Sequence, residues 1–214
     1  MRIIAGLYRG RTLKTLRGLE LRPTSGRLRE TLFDVLGGSV EGSAFIDGYA
    51  GSGAVGLEAL SRGARRVFFI EESTAAVRII QANMAALGVC ECAEVVRTSF
   101  RKGLIFLEQR GVQADFCFLD PPYAARREYD QSLLALAGSS TRRLSHWTDL
   151  TARSVMSSKG LVIVQHSRKE PLEERVGPWR RVRLLFQGSS ALSFYRIEKE
   201  GSNLQNSGGT IGHG

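Results

Sequence analysis

From residue 44 onward, short apolar runs alternate with segments whose apolar positions recur at helical spacing, and glycines mark many of the joins. Residues 44–49 form an apolar run that predicts a strand. Residues 55–62 predict a helix stopped by Gly63, 66–70 a strand ending in Glu71 and Glu72, and 74–87 a helix stopped by Gly88. A third strand at 94–97, a helix at 103–110 and a fourth strand at 115–119 follow. Buried apolar strands alternating with helices predict an α/β domain with a parallel sheet covered on both faces. After Asp120-Pro121-Pro122-Tyr123 come a polar helical stretch to about residue 157 and an apolar strand at 161–165. Residues 182–186 and 192–198 alternate in polarity around Gly188-Ser189-Ser190, which predicts an antiparallel hairpin at one end of the sheet.

Ahead of this repeat, residues 1–16 mix short apolar pieces with basic residues. Gly6 and Gly10 supply turns, so a small β-hairpin or extended arm is expected. Thr24 and Ser25 can cap a helix carrying Leu28, Leu32, Val35 and Leu36 and ending at Gly37-Gly38. The organisation expected is a basic arm at 1–22, an α/β domain at 23–199, and a disordered Gly-, Ser- and Asn-rich tail at 200–214.

Composition narrows the class. With 214 residues, 43% apolar and 24% charged, and with no apolar run near the ~20 residues of a membrane span, an ordinary globular protein is expected. Arg9 and Arg11 interrupt the N-terminal apolar residues, so no secretory leader and a cytoplasmic location are expected. Three cysteines and three histidines without ligand spacing predict no metal site. Of the formal charge of +9, residues 1–31 carry +6, from eight basic side chains against Glu20 and Glu30. Such a concentration suits phosphate-rich nucleic acid.

At the first strand-to-helix turn stands Asp47-Gly48-Tyr49-Ala50-Gly51-Ser52-Gly53-Ala54-Val55-Gly56. Gly51, Gly53 and Gly56 satisfy G-x-G-x-x-G, a turn that lets backbone N–H groups approach a ligand. Glu71 ends the next strand, where a carboxylate can accept both ribose hydroxyls. The pattern fits NAD, FAD or S-adenosylmethionine. Asp47 favours the last, because a carboxylate there repels a pyrophosphate and suits the ammonium of a methionine moiety.

Asp120-Pro121-Pro122-Tyr123 follows the fourth strand, at the edge where open α/β sheets bind ligands. An exocyclic base amine is a poor nucleophile, since its lone pair is delocalised into the ring. The Asp120 carboxylate and the Pro121 carbonyl can each accept one amine N–H, orienting the nitrogen toward a methyl donor and stabilising the developing charge. Pro122 stiffens the turn, and Tyr123 offers a face for the base to stack on.

Leu21-Arg22-Pro23-Thr24, Arg27-Leu28-Arg29-Glu30, residues 47–64 and Asp120 to Tyr123 together resemble the RsmD family, as do Met1 to Gly6 and Tyr8 to Arg11. The resemblance covers roughly residues 1–198. It implies an enzyme with a Rossmann-like class I methyltransferase fold: a seven-stranded, mostly parallel sheet with a C-terminal antiparallel hairpin and a small basic N-terminal arm. The implied activity is methylation of guanine N2 in 16S ribosomal RNA of the small ribosomal subunit, with S-adenosylmethionine as methyl donor. Asp47, Gly51 and Gly53 would then line the cofactor's methionine part, with Tyr49 and Ser52 also binding the cofactor, Glu71 its ribose, and Asp120, Pro121 and Tyr123 the target base. Ser99 and Phe100 stand where the family usually has an acidic residue near the adenine, and Tyr49 stands where Phe is usual. Residues 138–146 look unlike the family. Arg9, Arg11, Lys14, Arg22 and Arg27 are the expected RNA contacts, the arm lying outside the catalytic core of a monomer. The alternatives are a DNA adenine or cytosine amino-methyltransferase and a non-catalytic nucleic-acid-binding protein on the same fold.

Overall fold

A computed structural model describes residues 1–15, 26–121, 125–138 and 154–198. Arg22, Pro122, Tyr123, residues 139–146 and the 200–214 tail lie outside the described residues.

Helix α1 (Gly26–Leu36) buries Leu28, Leu32, Phe33 and Leu36 along one face. A 3₁₀ turn (Gly37–Val40) leads into β1 (Ala44–Gly48), whose five residues are all buried. Then come α2 (Ala54–Ser61), β2 (Arg66–Glu71), α3 (Thr74–Leu87), β3 (Ala93–Arg97), α4 (Phe100–Gln109), β4 (Ala114–Leu119) and α5 (Ala125–Ala137). The chain closes with β5 (Met156–Ser167), β6 (Arg175–Val176), β7 (Trp179–Gln187) and β8 (Ser190–Ile197). Local chemistry explains the boundaries of α3: the Ser73 side chain accepts from Ala76 N, and Gly88 ends the helix at φ 72°. No helix among the described residues is long and apolar enough to cross a membrane.

The strand order is β3-β2-β1-β4-β5-β8-β7-β6, parallel from β3 through β5 and antiparallel beyond. Phe45, Phe69, Phe116 and Phe118 face one core with Phe33 of α1. Alternate residues, including Ile46, Ile70, Cys117 and Leu119, face the other with Leu104 and Leu133. The chain winds outward from β1 to β3 and then returns to place β4 on the other side of β1. A crevice therefore opens between the carboxyl ends of β1 and β4.

The parallel sheet and its terminal hairpin agree with expectation, with three differences. Among the described residues the sheet has eight strands rather than seven, because β6 pairs with β7 through only Arg175↔Arg180 and Val176↔Trp179. Two residues are too few to display an alternating pattern. The polar stretch expected to stay helical to about residue 157 is already strand at Met156, which pairs with Ala114 in β5; α5 ends at Ala137, and residues 139–153 of that stretch lie outside the described residues. Helix α4 starts at Phe100, three residues before the expected Gly103, with Ser99 in the extended capping conformation.

The N-terminal arm closes through a single antiparallel bridge, Arg2↔Thr12, and docks on α2 and α3. Ile3 and Leu13 are buried in the main core. The fully buried Glu58 carboxylate accepts from Ile4 N at 2.8 Å and Ala5 N at 3.0 Å, and pairs with Arg29 at 3.4 Å and Arg62 at 3.0 Å. Gly6 has φ 80°, and a Cβ there would lie 1.8 Å from Ser61 O, so only glycine allows this approach. Expected to stand apart from the core, the arm is instead seated in it.

Candidate active site

The crevice between β1 and β4 is built from strand ends. In β1, Asp47 lies opposite Phe69 of β2 and Phe118 of β4. Glu71 ends β2, and Asp120 follows Leu119, the last residue of β4. Three carboxylates are thus brought to one edge of the sheet.

Asp47 is buried, and one of its carboxylate oxygens accepts from Gly56 N at 2.8 Å, fixing the start of α2. Burial pushes its carboxyl up to about 8; the Gly56 N–H opposes this, while the negative charges of Asp120 and Glu71 add to it. Glu71 accepts from Gly51 N and from Ser73 N, each at 2.7 Å, one bond per oxygen. Each oxygen keeps a second acceptor site for the ribose hydroxyls expected there.

The loop between β1 and α2 owes its path to residues with positive φ. Tyr49 adopts φ 59°, Gly51 φ 55° and Gly53 φ 75°. For tyrosine that conformation is unfavourable. It is held by the phenol, which donates to Glu128 Oε1 at 2.8 Å and shares a hydrogen bond with Ser132 at 2.8 Å, and by the ring, which stacks on Phe100 at 5.0 Å between centroids. A Cβ at Gly56 would meet the Phe69 ring at 2.4 Å, so the third motif glycine permits close packing of α2 on β2. A Cβ at Gly51 would meet nothing within 4 Å, leaving the loop backbone open to a ligand.

The structure brings together Asp47, Tyr49, Gly51, Ser52, Gly53, Glu71 and Asp120, with Pro121 buried directly after Asp120. Phe100 is also here, but its ring is buried between Tyr49 and the Gly48 backbone. Ser99 is half-buried at the start of α4. Arg9, Arg11, Lys14 and Arg27 are exposed, and Arg11 also donates to Ala86 O at 2.7 Å.

Two functional residues gave no sequence signal of their own. Asn83, buried on α3, accepts from Lys14 N at 2.8 Å and donates to Lys14 O at 3.1 Å and Ser52 O at 3.2 Å, tying the arm to the glycine loop. Gln165, near the end of β5, donates from Nε2 to Asp120 Oδ2 at 3.0 Å. It closes an apolar strand, and only its place beside the Asp120 turn could have singled it out. His166 is not a candidate base. Its Nδ1 faces the carbonyls of Ser167 and Glu170 at 3.0 Å each and so carries the proton, its Nε2 accepts from Ser193 Oγ at 2.9 Å, and burial lowers its pKa.

Chemically, a carboxyl raised first by burial and further by two neighbouring carboxylates favours a cationic ligand. The methionine ammonium and sulfonium of S-adenosylmethionine meet that requirement, and the residues present fit it.

Comparison with known proteins agrees with this geometry. The family described as conserved hypothetical protein 95 matches residues 1–196. The ribosomal RNA small subunit methyltransferase D of Escherichia coli K12 is 32% identical over 203 residues, covering 95% of this chain and 93% of that protein. A solved structure of yhhF from Escherichia coli, a methyltransferase by assignment, superposes with TM-score 0.74 and 29% identity, covering 92% of this chain and 98% of that one. A Rossmann-type likeness extends to SMU.776, assigned as a methyltransferase and solved with SAH, at TM-score 0.57, 12% identity and coverage of 80% of this chain and 48% of that one.

Proposed function

This chain belongs to the conserved hypothetical protein 95 family, the RsmD family, and on that basis we propose that it transfers a methyl group from S-adenosylmethionine to the N2 amine of a guanine in 16S ribosomal RNA. The observation that carries the reading is the placement of Asp120 and Pro121 at the end of β4, across the crevice from the glycine loop of β1. Bound S-adenosylmethionine supplies a methyl group made electrophilic by its sulfonium. Asp47 neutralises the methionine ammonium, Glu71 accepts from the ribose, and the 49–53 backbone lines the cofactor.

Asp120 and the Pro121 carbonyl hold the two amine N–H groups, so that the nitrogen lone pair points at the methyl carbon. Transfer makes one N–C bond as one C–S bond breaks, and leaves a methylated ammonium far more acidic than the amine. Asp120 stabilises that charge, and the proton departs afterwards to water. Positioning therefore matters more than base strength.

The exposed Arg9, Arg11, Lys14 and Arg27 contact phosphates around the target, and Arg22 is assigned the same role. Tyr123 is assigned to stacking on the base and Pro122 to the same substrate site. The protein works as a cytoplasmic monomer on RNA assembled into the small subunit, which light scattering and a comparison of free RNA with subunits as substrates will test. Mass mapping of small-subunit RNA from cells with and without the protein should show loss of a single N2-methylguanine. Asp120→Ala should abolish transfer while calorimetry still registers S-adenosylmethionine binding; a variant that keeps transferring methyl groups would remove the role given to Asp120.

A further inference from the structure

Gln165 is nine-tenths buried, 8% exposed, on the strand beside Asp120. Its carboxamide is asymmetric in use. Nε2 donates to Asp120 Oδ2 at 3.0 Å, whereas Oε1 is buried and has no hydrogen-bond partner among the described residues. Buried acceptors left unpaired are uncommon in folded proteins and point to a missing partner. Nor can the amide simply turn over, since its oxygen would then face the carboxylate oxygen of Asp120. Asp120 therefore fixes which end of the Gln165 carboxamide is left unpaired: an acceptor and never a donor.

The Watson–Crick edges of the bases respond differently to such a group. Beside its exocyclic amine, guanine carries a ring N–H, which donates. Adenine and cytosine carry a bare ring nitrogen beside theirs, which accepts. We propose that Gln165 is a specificity-determining residue whose Oε1 accepts the ring N–H of guanine, and that its bond to Asp120 excludes adenine and cytosine by setting two acceptors against each other. This rests on the reading above, that Asp120 and Pro121 hold a base amine, and adds the means by which the base is told apart. A site built to take an N–H discriminates strongly against an analogue that lacks it.

The test compares two small-subunit RNA substrates, one with guanine at the mapped target and one with 2-aminopurine there. The analogue keeps the 2-amine and replaces the ring N–H with an acceptor. Wild-type protein should prefer guanine in kcat/KM by about tenfold or more. Gln165→Met, close to glutamine in shape, should bring that preference to within about threefold while S-adenosylmethionine binding by calorimetry stays unchanged. Gln165→Leu provides the same comparison if the methionine variant does not fold. An equal preference in wild type and variant would overturn the assignment, even with both substrates slowed, because a purely structural role lowers both together. Wild-type protein that methylates neither RNA would instead overturn the underlying reading.

Discussion

Replacing Asp47 with asparagine should stabilise the cofactor-free protein at neutral pH relative to its stability in acid. The side chain is buried, and its carboxyl is pushed from 3.8 to about 8. A carboxyl raised in the folded state contributes its full stability below the unfolded value and loses it as pH climbs toward the folded value. Each pH unit in that window is worth about 1.4 kcal/mol, so ionisation at Asp47 costs about 4 kcal/mol between pH 4 and pH 7. Asparagine keeps an oxygen to accept the Gly56 N–H and does not ionise. Its amide N–H groups and the acid's O–H both need a buried acceptor, so that cost is shared and leaves the pH dependence alone. At about 2–4 °C per kcal/mol for a chain of this size, the melting temperature of the variant minus that of wild type should rise by roughly 8–16 °C from pH 4 to pH 7. Thermal melts followed by circular dichroism in matched buffers measure it. A difference that stays flat across this range would refute the assignment of a costly buried charge to Asp47. Cofactor binding should reverse the order: wild-type protein releases a proton as the ammonium arrives, which calorimetry in buffers of different ionisation enthalpy detects, and the asparagine variant binds more weakly and releases none.

The buried Glu58 predicts a different failure. Glu58→Gln leaves Arg29, 1% exposed, without its opposing charge and should destabilise the fold by about 3–5 kcal/mol, lowering the melting temperature by roughly 6–20 °C; a loss below about 1 kcal/mol would mean that this pair does not hold the arm. Replacing Arg9, Arg11 and Lys14 together by alanine should weaken RNA binding and flatten its dependence on salt by about two to three counterions, read by titrations at several ionic strengths. Cofactor affinity should hold in that variant, because Lys14 meets Asn83 through its main chain and not through its charge.

The regular elements were legible because their signals are local, a continuous apolar run for a buried strand and residues at the helix ends for a helix. All five residues of β1 are buried, and α3 has a serine cap at its start and a glycine at its end. What escaped notice depended on contacts distant in sequence. Nothing in Arg175-Val176 marks a strand until Trp179 turns back upon it. Arg29, one of the eight basic side chains behind the +6 of residues 1–31, is among the largest fully buried side chains because Glu58, 29 residues later, lies opposite it. The site divides the same way. Asp47, Glu71, Asp120 and the glycines could be named from spacing along single strand ends, whereas Gln165 and Asn83 act through partners 45 and 69 residues away.

Those two long-range contacts give the site its coherence. Each binds one recognisable motif to something outside it: Gln165 fixes the orientation of the Asp120 carboxylate from β5, and Asn83 joins the backbone of Ser52 in the glycine loop to the main chain of Lys14 in the arm. In the proposed function, the first links amine positioning to the identity of the base. The second joins the glycine loop and the basic arm on one buried amide, so displacement of the arm removes hydrogen bonds from the residue that supports the loop. Formal charge alone suggested an arm free to serve RNA. Its buried Ile3 and Leu13 and its bonds to Glu58 and Asn83 instead make it a wall of the catalytic domain, with Arg9, Arg11 and Lys14 projecting from that wall.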